Sequence, residues 1–224
     1  MLYESTRGSL DRMTGAQAII RGIAADKGLY VPVQVPALPF DIAEAAARMA
    51  AGKIGYKDVA FQVIGAFFDD FTQEEMHRCI EGAYDSKFTV PDIVELKQAG
   101  GARFLELYHG KTAAFKDMAL SILPYLMTTA CRKEGEKSKI CILTATSGDT
   151  GKAALEGFAD VPGTEIIVFY PSEGVSRVQE RQMITQTGAN THVFAICGNF
   201  DDAQTGVKKI FADDAFAGRL AEMG

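Results

Sequence analysis

The sequence has few of the residues that build metal sites and disulfide frameworks. Its 224 residues include four cysteines and three histidines, and no two cysteines have the C-x-x-C spacing typical of zinc and redox sites. The histidines are equally scattered, so we predict no metal site. Four widely separated cysteines do not form the framework of a small secreted protein, and we expect reduced thiols and a cytoplasmic location.

Long apolar runs and an excess of positive charge are also missing. No apolar run approaches the length of a membrane span, and the segment from Met1 to Arg7 lacks the layout of a signal peptide. The formal net charge is −6, which argues against sequence-independent nucleic-acid binding because such binding needs a basic face. We therefore expect neither a membrane nor a nucleic acid as a partner.

The first part of the chain, up to residue 95, has the patterns of helices. Thr72 and Glu75 have the spacing of a capping box at the start of one of them. A segment over 14–20 fits a short helix or a strand, and prolines favour an extended segment over 28–33. Helices are predicted at 41–49, 56–71 and 73–84. We predict a mostly helical N-terminal unit over residues 1–95.

Residues 96–224 alternate between short apolar strands and helices, which is typical of α/β proteins with βαβ units and a mainly parallel sheet. Strands are predicted at 103–108, 139–144, 165–170 and 191–196. Helices are predicted at 115–133 with a bend at Pro124, from the next loop to about 159, from a capping box of Ser176 and Gln179 onward, and at 200–213. Ligands of such sheets bind at the carboxyl ends of the strands, which directs attention to 109–117, 144–151 and 170–176.

The loop Thr146-Ser147-Gly148-Asp149-Thr150-Gly151 follows one predicted strand and precedes an alanine-rich helix. Its glycines and hydroxyl groups fit an anion cradle, in which backbone N–H groups at a helix N-terminus hold a phosphate or carboxylate. The other interpretation is a capped turn with Asp149 or Thr150 as the N-cap, and composition does not choose between the two. The loop matches neither the P-loop spacing nor G-x-G-x-x-G.

Lys116 stands where a predicted strand gives way to a helix. The positive end of the helix dipole and the apolar neighbours Ala114 and Phe115 should both lower the pKa of its amine. An amine of this kind is the nucleophile that a Schiff base requires. The alternative is a solvated lysine on an amphipathic helix. Asp117 either opposes the pKa shift or caps its own helix.

These motifs resemble those of the threonine synthases, which are fold type II pyridoxal-phosphate enzymes. The resemblance rests on the stretch from His109 to Asp117 and on the loop 146–151. Lys111 departs from it, because many members have proline there, and we expect Lys111 in solvent or near a phosphate. Further similar segments follow the same order: Tyr3-x-Ser5-Thr6-Arg7-Gly8, Gly28 to Pro32, Tyr170-Pro171 with Ser176 and Gln179, and Gly198 to Asp201.

The resemblance implies pyridoxal 5'-phosphate as cofactor and O-phospho-L-homoserine as substrate. The reaction would convert O-phosphohomoserine and water into L-threonine and phosphate, the last step of threonine biosynthesis. Lys116 would hold the cofactor and move protons at the α and β carbons, Phe115 would pack near the cofactor ring, and Asp149 would lie near its 3-hydroxyl. The residues implied to hold the substrate carboxylate or phosphate are Thr146, Ser147, Gly148, Thr150 and Gly151.

Members of the family are considerably longer, and no second cradle for the cofactor phosphate follows Gly151. The resemblance therefore implies an N-terminal portion, with a helical unit over 1–95 and a partial cofactor-binding α/β domain over 96–224. We expect a truncated sheet, little activity of these residues alone, and a monomer or homodimer with self-association through the sheet. The rival hypotheses are a phospho-lyase or dehydratase on the same scaffold, which releases a keto acid, and a non-catalytic α/β module.

Overall fold

The chain forms two compact units that interleave along the sequence. The structure, a computed structural model, describes residues 1–223. One unit comprises Met1–Glu106 and Tyr125–Glu136, and the other comprises Leu107–Pro124 and Lys137–Gly224. Within the described residues, every helix is too short or too polar to cross a membrane.

The first unit is mainly helical. The segment that fitted either a helix or a strand is a helix, because Thr14 and Gln17 form a capping box at its start. The capping box of Thr72 and Glu75 is confirmed, with the side chain of each residue accepting the backbone N–H of the other. The elements up to residue 83 are β1 (Tyr3–Ser5), α1 (Gly15–Arg21), β2 (Tyr30–Pro32), α2 (Ile42–Ala50), α3 (Tyr56–Phe67) and α4 (Gln73–Ala83), with β1 and β2 antiparallel.

The strand predicted at 103–108 exists, but its expected place in the parallel sheet is wrong. It is β4 (Ala102–Glu106), and it pairs antiparallel with β3 (Glu95–Ala99) in a two-stranded hairpin. Gly100 and Gly101 join the strands with φ angles of 56° and 79°, the backbone of a tight hairpin turn. This pair of glycines turns the chain back along β3, so that β4 pairs with β3 in a separate antiparallel hairpin.

The predicted helix over 115–133 is two helices, α5 (Asp117–Leu120) and α6 (Leu123–Glu134). Pro124 is the second residue of α6 and does not bend a continuous helix. Proline is tolerated in a first helical turn because the N–H that it lacks has no intrahelical acceptor there. Pro124 therefore marks a helix start.

The second unit is built on a parallel sheet of β5 (Ile140–Ala145), β6 (Thr164–Pro171) and β7 (Thr191–Ile196), in that order. The central strand β6 contributes to the core, since Ile166 and Val168 are fully buried. The register pairs Ala145 with Phe169 and Phe169 with Phe194, so the carboxyl ends of the strands lie at one edge. The helices that follow β5 are α7 (Asp149–Phe158), α8 (Arg177–Ile184), α9 (Phe200–Ala212) and α10 (Asp214–Met223). This architecture confirms the predicted α/β class with βαβ units, while α10 had no predicted counterpart.

Candidate functional site

A buried carboxylate shapes the loop that carries Lys116. Asp117 is 4% exposed, and its carboxylate accepts the backbone N–H of Thr112 at 2.8 Å and the Thr112 hydroxyl at 2.6 Å. Gly110 lies so close that a Cβ there would be 2.4 Å from Oδ2 of Asp117, and Ala113 has a φ of 56°. Asp117 thus closes a tight loop before α5. One of the two roles expected from the sequence was that Asp117 would cap its own helix.

Lys116 is the last residue of this loop, immediately before α5. Its Nζ lies 4.6 Å from the centroid of the Phe115 ring, an attractive cation–π arrangement. Phe115 is 56% exposed, so it does not bury the amine as expected. The reason is that α5 begins only at Asp117, which leaves Phe115 in an exposed turn.

Thr146 organises the loop 146–151 from inside. Its hydroxyl oxygen accepts the backbone N–H groups of Gly148 and Gly151, both at 3.0 Å. Gly148 is the N-cap of α7 and has no side-chain cap, so neither Asp149 nor Thr150 is the N-cap that one interpretation required. The N–H groups of Asp149 and Thr150 lie in the first helical turn, where no intrahelical acceptor exists.

The loop therefore presents a short set of donors at the positive end of α7. Ser147, Asp149 and Thr150 are exposed, whereas Thr146, Gly148 and Gly151 are buried. The exposed residues are placed to meet a ligand, and the buried residues give the loop its shape. This arrangement fits the anion cradle better than the capped turn.

Gln179 lies at the site, although the sequence analysis gave it a capping role and a place in the resemblance but no role in the site. Ser176 does cap α8 by accepting the N–H of Gln179 at 3.2 Å. The Gln179 side chain does not complete the box, because its Nε2 donates to Oδ1 of Asp149 at 2.7 Å. The carboxyl-end loops of β5 and β6 are thereby connected. Their common sheet edge was predictable, but this particular pair of side chains was not.

Helix packing brings the Lys116 segment and the loop 146–151 into one assembly. The sequence placed both on one sheet, which is wrong because β4 belongs to the hairpin. Instead, α5 packs against α7, where a Cβ on Gly157 would lie 2.3 Å from the carbonyl oxygen of Leu120. Only a glycine permits so close an approach of two backbones.

An ion pair adds a second contact between the Lys116 loop and α7. Lys111 lies 2.9 Å from Oε1 of Glu156, and Lys152 lies 3.3 Å from Oε2 of the same carboxylate. Burial alone would raise the pKa of Glu156, but the hydrogen bond and charge of Lys111, together with Lys152, lower it below its ordinary value. Lys111, expected in solvent or near a phosphate, thus binds the helix that follows the loop 146–151.

Glu156→Gln should reduce stability at neutral pH and have little effect in acid. A lowered carboxyl pKa contributes stability that is present above the unfolded-state pKa and is lost as the pH falls through the folded-state pKa. Because the side chain of Lys111 is 52% exposed, we expect a loss of only about 1 kcal/mol at pH 7. Urea unfolding at pH 7 and near pH 3 measures both values. Lys111→Met is the matched control and should show the same pH dependence; an equal loss for Glu156→Gln at both pH values would contradict the ion pair.

Comparison with known proteins gives a consistent family. The model of the family described as threonine synthase N terminus matches residues 2–84. A threonine synthase of Pseudomonas aeruginosa is 39% identical over 218 residues, covering 96% of this chain and 45% of the relative. A threonine synthase of Schizosaccharomyces pombe is 34% identical, covering 96% of this chain and 42% of the relative. A threonine synthase-like 2 protein of Rattus norvegicus is also 34% identical, covering 98% and 44%.

Solved structures agree with these sequence matches. The PLP-bound threonine synthase from Brucella melitensis superimposes with a TM-score of 0.84 at 35% identity, covering 99% of this chain and 46% of that chain. The threonine synthase from yeast gives 0.82 at 32% identity, covering 96% and 44%. The chain thus spans less than half the length of the relatives that it matches. Within that span both sequence and fold agree, and the chain matches the N-terminal portion of threonine synthases over nearly its whole length.

Proposed function

We propose that the protein carrying these residues is a threonine synthase, a lyase that uses pyridoxal 5'-phosphate. Its reaction converts O-phospho-L-homoserine and water into L-threonine and phosphate. The observation that carries this proposal is that one compact unit holds both Lys116, on a loop closed by Asp117, and the start of α7, where the N–H groups of Asp149 and Thr150 have no intrahelical acceptor. The PLP-bound relative from Brucella melitensis supports the choice of cofactor.

The side chains present fit this cofactor. A primary amine is needed for covalent attachment, and Lys116 offers one that is only partly buried. The exposed ring of Phe115 offers an aromatic surface, and the exposed carboxylate of Asp149 offers an acceptor for a hydroxyl group. When bound, pyridoxal phosphate supplies an electron sink that stabilises negative charge on substrate carbons.

Further tasks of the proposed reaction fall to residues of this chain. Lys116 Nζ holds the cofactor and then carries protons to and from the α and β carbons of the substrate. The Ser147 and Thr150 hydroxyls, with the N–H groups that begin α7, bind the substrate carboxylate or phosphate. Thr146, Gly148 and Gly151 serve this binding by fixing the loop, because the Thr146 hydroxyl occupies two of its N–H groups.

We place the boundary between the helical N-terminal unit and the cofactor-binding part near residue 95. Residues 1–95 form the helical N-terminal unit, which the family match over 2–84 supports, and residues 96–224 contribute the cofactor lysine and substrate loop. This boundary differs from the division into compact units, in which β3, β4 and the segment Tyr125–Glu136 belong to the first unit. We propose a cytoplasmic enzyme that acts as a monomer or homodimer on a small-molecule substrate.

Product analysis tests the reaction. The protein encoded by the complete reading frame that contains these residues is incubated with pyridoxal phosphate and O-phosphohomoserine. We expect threonine and phosphate in equal amounts. A keto acid with phosphate and ammonia would instead indicate a phospho-lyase. This alternative is tested because a threonine synthase-like protein is as similar to this chain as one of the threonine synthases. Neither product, with no cofactor bound, would indicate a non-catalytic module.

A further inference from the structure

We propose that Gln179 is a positioning residue that orients Asp149 for cofactor binding, so that the start of α8 controls the start of α7. The inference rests on the function proposed above, in which Asp149 lies near the cofactor's 3-hydroxyl. It assigns to Gln179 a role beyond helix capping.

The Gln179 carboxamide is held from both sides. Its Oε1 accepts the Ser176 hydroxyl at 2.9 Å, and its Nε2 donates to Oδ1 of Asp149 at 2.7 Å. The backbone N–H of Gln179 donates to the same Ser176 oxygen at 3.2 Å. Two fixed ends leave the carboxamide little rotational freedom, which is what a group that orients another side chain needs.

Gly148 shows how closely this carboxamide covers the start of α7. A Cβ on Gly148 would lie 2.5 Å from Cδ and Nε2 of Gln179. Gly148 also has a φ of 150°, a conformation that residues with side chains rarely adopt. The backbone therefore makes room for Gln179 directly at the N-cap.

The consequence for Asp149 follows from its position as the first residue of α7. A carboxylate at a helix N-terminus is attracted to the N–H groups of the first turn. If the Asp149 carboxylate turned toward these N–H groups, it would occupy the donors that an anionic ligand needs and would no longer be available to the cofactor's 3-hydroxyl. The hydrogen bond from Gln179 holds the carboxylate instead, and it is strengthened because its acceptor is charged.

A double-mutant cycle on cofactor affinity tests this coupling. The Kd for pyridoxal phosphate is measured for the protein of the complete reading frame and for Gln179→Ala, Asp149→Ala and the double variant. We expect Gln179→Ala to weaken binding about ten-fold or more, and to have no further effect in the Asp149→Ala background. The matched control is Val178→Ala, a neighbouring residue that is 70% exposed, and it should leave the Kd unchanged.

Gln179→Glu separates positioning from simple packing. It keeps the size of the side chain but sets a second carboxylate beside Asp149, so binding should weaken at pH 7 and recover as the pH falls and one carboxylate gains a proton. Unfolding free energies measured in parallel show that every variant is folded. Unchanged affinity in Gln179→Ala, additive losses in the cycle, or a pH-independent defect in Gln179→Glu would overturn the inference and leave the proposed function intact. Absence of cofactor binding in the unmodified protein would overturn both.

Discussion

Lys116→Ala should abolish covalent attachment of the cofactor and lower turnover by roughly a thousand-fold or more. The reason is that, in the proposed function, one amine both attaches the cofactor and carries protons, so its loss would remove two functions together. The other two lysines near this segment, Lys111 and Lys152, are engaged by Glu156 on α7 and are not placed to substitute. The measurement is the visible absorbance of the attached cofactor, together with the rate of threonine formation.

Two controls make this result specific to the Lys116 amine. Lys116→Arg keeps a cation near the Phe115 ring but lacks a nucleophilic primary amine, so it should lose attachment as completely as Lys116→Ala. Lys111→Ala removes a lysine from the same loop and should retain attachment. Wild-type absorbance and turnover in Lys116→Ala would contradict the assignment.

Asp117→Ala should lower the free energy of unfolding by about 3–5 kcal/mol. The substitution removes both hydrogen bonds that Thr112 donates to a buried carboxylate, and it leaves the Thr112 N–H and hydroxyl without their acceptor. Because this carboxylate closes the loop in front of Lys116, turnover should fall as well. Urea unfolding gives the stability, and the rate at saturating substrate gives the turnover.

Further substitutions at Asp117 and Thr112 show how the loss of unfolding free energy divides between their hydrogen bonds. Asp117→Asn keeps the shape and one carbonyl acceptor, so its loss should be intermediate, about 1–2 kcal/mol. Thr112→Val removes only the hydroxyl, and combined with Asp117→Ala it should add little. An Asp117→Ala protein within about 1 kcal/mol of the unmodified one would show that the buried turn does not hold the loop.

The parallel part of the fold was predictable because its signals are local. The strands β5, β6 and β7 are short apolar runs separated by helices, and the bounds of each were predicted to within one residue. The capping box at Thr72 is likewise a pattern within four residues. In such segments the local preference and the tertiary structure agree, so sequence alone gives the element.

The errors came from two short features that change the direction of the chain. Gly100 and Gly101 form a hairpin turn, and a strand that pairs backward has the same local composition as one that enters a parallel sheet. Pro124 fits equally a bend within a helix and the first turn of a new one, as observed in α6. Deciding either case requires knowledge of which partner the segment packs against.

The site was predictable as a set of loops but not as a set of contacts. The residue types of the loop 146–151 fitted an anion cradle and a capped turn equally well, and Lys116 stood out by its position. The role of Thr146 as the internal acceptor, the bond from Gln179 to Asp149 and the closure by Asp117 join side chains whose pairing depends on rotamers. Spacing in a sequence does not specify rotamers, so these contacts needed the structure.

Cofactor mapping tests the central claim most directly. The protein of the complete reading frame is incubated with pyridoxal phosphate, treated with borohydride to make the lysine linkage permanent, digested, and analysed by mass spectrometry. We predict one modified lysine per chain, in the peptide that contains Lys116. Modification confined to Lys111 or Lys152, spread over many lysines, or absent altogether would contradict Lys116 as the cofactor lysine.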